Sequence, residues 1–403
     1  MAVTLLAHGV SDLCLGKPAL RSLSVTTTIA DALEVLRNSD DNSVSIWGCK
    51  HKAGFGSGAA TATATADDDD DDCRCIGKIS IVDVICYLCK EESLKSPSAA
   101  LNAPVSVLLP EISGLVMHVE PSCSLLEAID FILKGAQNLV VPIKTRLSSR
   151  KKQHQKPSAT ATIHGGREFC WLTQEDVIRF LLSSIGLFSP IPALSIESLG
   201  IISPDVTTID YHSPASAAVP AIARSLADQT SVAVVDSDGT LIGEISPYTL
   251  ACCDETVAGA LTTLSAGDLM AYIDCGGPPE DLVRVVTARL KERNLNGMLD
   301  YFTTSLSSTT LSSSSSDEES TGRVSPLGRS LRHSRSMSYS ARMVRRAEAI
   351  VCHPKSSLVA VMIQAIAHRV NYVWVIEEDC SLVGIVTFSD MLRVFREHLE
   401  AMA

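Results

Sequence analysis

The amino-acid sequence predicts an α/β protein, a set of α+β repeats in which one helix-strand-strand-helix unit is used four times. Three observations carry that reading. First, four stretches place Ser or Thr ahead of apolar or Ala residues at helical spacing: TIADALEVLR from Thr28, SLLEAIDFIL from Ser124, SPASAAVPAI from Ser213 and SLVAVMIQAI from Ser357. A hydroxyl there accepts an orphan backbone N–H of the first turn and so marks a helix start. Second, each helix is followed by a β-branched run and a second strand with a shared ending. Third, the spacing between these landmarks is conserved once two low-complexity inserts are set aside.

The first strands are VSIW at Val44, LVVPI at Leu139, SVAVV at Ser231 and YVWVI at Tyr372, and the second strands run through GKISIVD, CWLTQED, GEISPYT and GIVTFSD. In the fourth unit the ending is Thr387-Phe388-Ser389-Asp390. A hydroxyl with a carboxylate three places on is a capping box, in which each side chain satisfies a backbone N–H at the helix start. An apolar helix follows, most plainly VIRFLL after Asp176 and MLRVF after Asp390.

From the cap to the last position of the ending, the distances are 55 residues for Thr28 to Asp83 and 52 for Ser124 to Asp176. They are 36 for Ser213 to Thr249 and 33 for Ser357 to Asp390. The first two exceed the fourth by 22 and 19, matching inserts that lie between the two strands of those units. One spans Cys49 to Cys73 and ends in six aspartates, Asp67 to Asp72; the other spans Lys144 to Gly166 and carries KTRLSSRKKQHQK. In the third and fourth units the same hairpin closes with DSDG and EEDC. A loop tip is where a repeat tolerates insertion. A third biased segment, Thr303 to Arg346, is Ser-rich and then Arg-rich. All three lack the apolar surface to order themselves and are expected to be mobile.

The bulk numbers bound the function. A chain of 403 residues with 46% hydrophobic residues can bury sizeable cores, built from aliphatic side chains because aromatics are only 4%. The net charge of -12 argues against general nucleic-acid binding or attachment to an anionic membrane. No apolar run has the length of a membrane span, and the N-terminus resembles neither a signal nor a transit peptide. With 13 cysteines in that context, reduced thiols and a soluble intracellular protein are expected. The cytoplasm is the expected location, and the basic stretches leave the nucleus open.

The order helix, strand, turn, strand ending Gly-x-Ile/Val-Ser/Thr-x-x-Asp, helix resembles the cystathionine-β-synthase (CBS) domain. The resemblance is closest in the fourth unit; in the second, Trp171 stands for the strand glycine, and in the third, Thr249 stands for the aspartate. With the opening VSDLCLGKP, the four units resemble plant proteins built only of CBS domains, in two pairs without an attached enzyme. The resemblance implies two Bateman-type pairs, each packed sheet against sheet. It divides the chain into repeat 1 (10–98, insert 49–73), repeat 2 (104–190, insert 144–166) and repeat 3 (194–272). A connecting segment (273–302), a disordered Ser/Arg-rich linker (303–346) and repeat 4 (347–403) complete it.

The resemblance also implies a ligand. In this family, clefts of the paired module often bind adenosine nucleotides, the Asp accepting from ribose hydroxyls and the Ser or Thr lying near ribose or phosphate. Carried over, the sites are Thr387 with Asp390, Ser80 with Asp83, and Thr173 with Asp176; Ser246 with Thr249 is a degenerate site. A carboxylate accepts from two hydroxyls, and a helix N-terminus favours an anion. The ligand would be AMP, ADP or ATP, with no required cofactor. His353, Lys355, His368 and Arg369 lie near enough in sequence to meet phosphates, though surface placement explains them as well. The capping box alone explains the ending equally simply.

Other constellations are weaker. Cys73, Cys75, Cys86 and Cys89 have zinc-like spacing, but the last two fall where a helix needs apolar residues, so buried thiols are the simpler reading. No nucleophile elbow, P-loop or dinucleotide-binding glycine motif occurs, so no enzyme activity is expected. Ser325, Ser334 and Ser336 are candidate phosphorylation sites. Two functions remain: a sensor that relays nucleotide occupancy to an unidentified protein partner, or a ligand-independent scaffold with the Ser/Arg-rich segment as a phosphorylation-controlled docking arm. Either is a monomer or a homodimer through its CBS pairs.

Overall fold

The computed structural model describes residues 8–39, 42–48, 73–110, 112, 114–143, 163–164, 166–274, 279–310 and 348–402. Repeat 1 contains β1 (Ser22–Ser24), α1 (Ile29–Arg37), β2 (Ser43–Trp47), β3 (Cys75–Ser80) and α2 (Ile81–Leu88). Repeat 2 contains β4 (Val116–His118), α3 (Leu125–Leu133), β5 (Asn138–Ile143), β6 (Glu168–Thr173) and α4 (Gln174–Ser183). Repeat 3 contains β7 (Thr208–Asp210), α5 (Val219–Asp228), β8 (Val232–Val235), β9 (Leu241–Ile245) and the short α6 (Pro247–Leu250). It is followed by α7 (Val257–Thr263), α8 (Ala266–Asp274), α9 (Glu280–Glu292) and α10 (Asn296–Thr310). Repeat 4 closes the chain with β10 (Val351–Cys352), α11 (Leu358–His368), β11 (Tyr372–Ile376), β12 (Leu382–Thr387) and α12 (Phe388–Met402).

Each repeat forms its own three-stranded sheet. The leading strand pairs parallel with the central one, across the helix that the N-cap residue starts. The central strand pairs antiparallel with the third. Thr28, Ser124 and Ser357 cap their helices as expected, each side chain accepting a first-turn N–H. Ser213 does not: prolines at 214 and 220 turn the chain through a short 3-10 segment, and α5 starts after Ala218 without a side-chain cap.

The hairpin register corrects one alignment. Ile46 faces Gly77, Val234 faces Gly243 and Val375 faces Gly384, and in the second repeat Val141 faces Cys170. Cys170, and not Trp171, therefore stands at the glycine position. Trp171 is one step further on and points to the other face, as strand alternation requires.

The sheets pack in pairs, repeat 1 on repeat 2 and repeat 3 on repeat 4. Lys78 Nζ donates to Asn138 Oδ1 at 3.2 Å across the first pair. In the second pair the hairpin tips knit together, Leu241 N–H donating to Cys380 O at 3.0 Å and Leu382 N–H to Gly239 O at 3.2 Å. The helices choose the other neighbour. One apolar core joins α1 and α2 of repeat 1 to α5 and the α7–α10 helices that follow repeat 3. Another joins α3 and α4 of repeat 2 to α11 and α12 of repeat 4. Across it, Arg396 Nε donates to Asp130 Oδ1 at 2.7 Å. The four repeats thus close a ring, sheet contacts alternating with helix contacts.

Backbone straps complete each repeat. In three cases the segment leading into one repeat pairs with the first cap of its sheet partner, Gly9 with Ser124, Pro104 with Thr28 and Ser195 with Ser357; in repeat 3 the segment at Ser265, after α7, pairs with Pro214. Beyond that point two expectations change. The connecting segment 273–302 is largely helical and buries Val286, Leu290, Met298 and Phe302, and α10 continues past Thr303 into the expected linker as far as Thr310. The end of the basic insert is also packed: His164 stacks on Trp47 with ring centroids 3.7 Å apart. Its Nε2 lies 2.8 Å from Ser22 Oγ. Most of both hairpin inserts, and residues 311–347, lie outside the described residues.

Candidate nucleotide site

Every second strand ends at, or one residue before, a hydroxyl whose residue caps the next helix, so local sequence alone puts the motif at a helix N-terminus. In repeat 1, Asp83 Oδ2 accepts both the Ser80 N–H and the Ser80 hydroxyl at 2.7 Å. In repeat 2, Asp176 Oδ2 accepts the same two groups of Thr173 at 2.8 Å. In repeat 4, Asp390 Oδ2 accepts the Thr387 N–H at 3.0 Å and its hydroxyl at 2.6 Å. Three boxes are therefore formed, and each aspartate spends one oxygen on its own cap.

The boxes differ in what else meets the carboxylate, and one of these groups escapes sequence reading. Lys17 Nζ lies 2.6 Å from Asp176 Oδ2, with both side chains about one-fifth exposed (22% and 21%). It comes from the strap that precedes β1, far from Asp176 in sequence; only the strap crossing brings it there. Arg393, one turn along α12, reaches Asp390 Oδ1 at 3.2 Å while remaining 57% exposed. An i,i+3 pair of that kind was readable from the helix once its start was placed. At Asp83, burial outweighs the two Ser80 hydrogen bonds and pushes the carboxyl above its ordinary range.

The third repeat is closed by its own side chains. Thr249 Oγ1 donates back to Ser246 O at 2.8 Å, and Ser246 Oγ accepts the Tyr248 N–H at 3.1 Å. Ser246 Oγ also lies 3.0 Å from the Tyr372 hydroxyl of repeat 4. That hydroxyl and Trp374 Nε1 donate to the buried Glu244 carboxylate at 2.9 and 2.7 Å. Burial and the Glu244 charge push the Tyr372 phenol well above its usual range, so it is a neutral donor. Ser246 and Thr249 are both buried, leaving no exposed hydroxyl or carboxylate at the motif position.

The groups considered for phosphates in repeat 4 do not gather. His353 Nδ1 is 3.0 Å from Ile376 O at the hairpin, whereas His368 and Arg369 end α11; all three, with Lys355, are exposed. The four cysteines with zinc-like spacing separate as well. Cys75 and Cys89 are pushed up to about 12 by burial, and Cys73 Sγ lies 3.2 Å from His164 Nδ1. Among the described residues no group of three or more His, Cys, Asp or Glu side chains is arranged to hold a metal ion. No described helix is long and apolar enough to cross a membrane. Ser325, Ser334 and Ser336 lie outside the described residues.

Known proteins agree with this architecture. Residues 341–397 match the model of the CBS domain. The CBS domain-containing protein CBSX5 of Arabidopsis thaliana is 53% identical over 99% of this chain and 99% of its own. The chain belongs to the CBS domain family. Another relative in the same plant, the SNF1-related protein kinase regulatory subunit gamma-like PV42b, is 23% identical over 80% of this chain and 76% of its own. Among solved structures, protein MJ1225 of Methanocaldococcus jannaschii has a similar fold, with a TM-score of 0.54 at 14% identity over 96% of this chain and 100% of that one. In a CBS frame, the family match falls on repeat 4, the repeat whose Thr387–Asp390 box departs least from the expected ending.

Proposed function

We propose that the protein is a non-catalytic regulator that senses an adenosine-containing nucleotide, AMP, ADP or ATP, in a CBS pair and relays occupancy to a partner protein. The observation that carries it is the contrast among the four motif positions. Three keep a hydroxyl and carboxylate at a helix N-terminus, with Asp176 and Asp390 partly exposed, and one is sealed by Glu244, Tyr372 and Thr249. The box at Thr387 and Asp390 is the leading site, because its competing cation, Arg393, sits on a long exposed side chain that a ligand displaces at little cost. At Thr173 and Asp176, Lys17 must first release the carboxylate. Ser80 and Asp83 form the third candidate. The likeness to a protein named as a kinase regulatory subunit supports a regulatory role without catalysis. Signalling follows if the nucleotide binds two arrangements of the paired repeats unequally.

Calorimetric titration of the full chain with AMP, ADP and ATP tests this, beside Asp390→Ala and Asp83→Ala. Saturable heat in the wild type, lost in a variant that remains folded, is the expected result. Each variant also loses about 0.5–2 kcal/mol of stability with its cap. Absence of heat with all three nucleotides favours the ligand-independent scaffold instead, in which every carboxylate serves only its helix.

A further inference from the structure

The two long inserts return to their sheets side by side. The insert of repeat 1 ends at Cys73, just ahead of β3, and the chain of repeat 2 comes back through His164, just ahead of β6. In the second pair the short hairpins meet through backbone bonds at Leu241 and Leu382. In the first pair side chains meet instead: Cys73 Sγ lies 3.2 Å from His164 Nδ1. The imidazole is held from three sides. Its ring lies on Trp47, 3.7 Å between centroids and 3° between planes. Its backbone pairs with Arg167, the N–H donating at 2.9 Å and the carbonyl accepting at 3.0 Å. Its Nε2 lies 2.8 Å from Ser22 Oγ on β1. With the Nε2–H donated to that hydroxyl, Nδ1 is left as the acceptor facing the thiol. His164 is 6% exposed, whereas Cys73 is only partly buried. An accessible nucleophile, a base within reach and a third group orienting the base together activate a thiol.

We propose that Cys73 is a modification site, a thiol activated by His164 that takes up half of a small-molecule disulfide. The Cys73 proton passes to His164 Nδ1, and the thiolate sulfur attacks one sulfur of the reagent. The reagent's S–S bond breaks as the new one forms, and its other half leaves as a thiolate that takes the proton from the imidazolium. Cys73 is oxidised to a mixed disulfide and the leaving half is reduced to a thiol, so no further reactant is needed. The neighbouring charges act in both directions. The run Asp67–Asp72 precedes Cys73 in sequence and disfavours a thiolate, while Arg74 follows it and favours one. His118 lies beyond Trp47, with ring centroids 5.7 Å apart, and burial holds it below its ordinary value as a neutral ring. The His164 imidazole is therefore the group that decides. Cys75, two residues on, is buried, donates to Gly77 O at 3.4 Å and is pushed up to about 12, so it remains a thiol. None of this depends on the nucleotide-sensing reading.

The test is peptide mapping of the native full chain after limiting dithiodipyridine, a small disulfide, with Cys252 and Cys380 as exposed reference thiols in the same molecule. From about pH 6 to about pH 8 an ordinary thiol gains about tenfold in rate per pH unit, following its thiolate fraction. The Cys73 adduct is expected to form about tenfold faster than either reference at the acid end and to change less than about threefold across the range. His164→Phe keeps an aromatic ring on Trp47 and removes the acceptor. In that variant Cys73 is expected to fall to the rate and slope of the references, whose own rates stay unchanged. Three results overturn the proposal: a wild-type Cys73 that follows the reference slope, one that stays unmodified while the references react, or one that reacts equally fast in His164→Phe.

Discussion

Asp83 holds its proton more tightly in the folded chain than a free aspartate does, because burial costs the carboxylate more than two Ser80 hydrogen bonds return. The sign follows from linkage. Above the ordinary value of 3.8 an unfolded Asp83 has released its proton while the folded one retains it. The folded state binds more protons there, so this residue's contribution to stability falls as pH rises through that window. Glu127 and Asp236, stabilised by backbone hydrogen bonds, are lowered and act in the opposite direction. The expected result is therefore a difference: melting curves of the wild type and Asp83→Asn over rising pH should show the wild type losing ground against the variant just above 3.8. Parallel curves would remove the buried-carboxyl account. The box around Asp83 was legible because hydroxyl, carboxylate and the N–H groups they serve lie within one turn. That Lys17 touches Asp176 was not, because the contact depends on where the strap crosses.

At the scale of elements, the strands followed from their β-branched alternation, and the caps at Thr28, Ser124 and Ser357 followed from hydroxyls ahead of apolar periodicity. Repeat 3 keeps its strands and departs at both helix starts. Pro247 occupies its first turn and Thr249 offers no carboxylate, and α6 ends after four residues where α12 runs for fifteen. What holds β9 in place is the partner sheet. The Glu244 carboxylate, 3% exposed, accepts from Tyr372 and Trp374 on β11. Glu244→Ala leaves two buried donors without this acceptor and is expected to cost on the order of 3 kcal/mol in denaturant unfolding. A loss below about 1 kcal/mol, the net worth of one ordinary hydrogen bond, would show that the network is dispensable.

Among the described residues the whole molecule is a closed ring in which each sheet and the apolar side of the helices beside it have partners within the chain. Ile85 and Leu88 on α2, both fully buried, belong to the core shared with repeat 3, and Ile129 and Ile132 on α3 to the core shared with repeat 4. Residues 1–190 retain their own straps but lose those helix partners. Burying each such side chain is worth about 1.5–3 kcal/mol, so the half-chain is expected to dimerise through α2 and α3 while the full chain is monomeric. Sedimentation velocity on both separates this from a ring that is incidental; a monomeric half-chain would rule the helix faces out as the closure.

The sequence by itself determined the four repeats, three of their four leading helix caps and the strand pairs. Each of these is settled by groups close along the chain: orphan N–H groups next to a hydroxyl, or side chains alternating on one short strand. Tertiary structure decided which repeats share helices, that the segment after repeat 3 completes a core, and that Cys170 rather than Trp171 takes the strand-glycine position. Those choices pair surfaces hundreds of residues apart, and apolar burial is non-directional: the same Leu, Ile and Val faces suit several partners until chain connectivity and the crossing straps leave one.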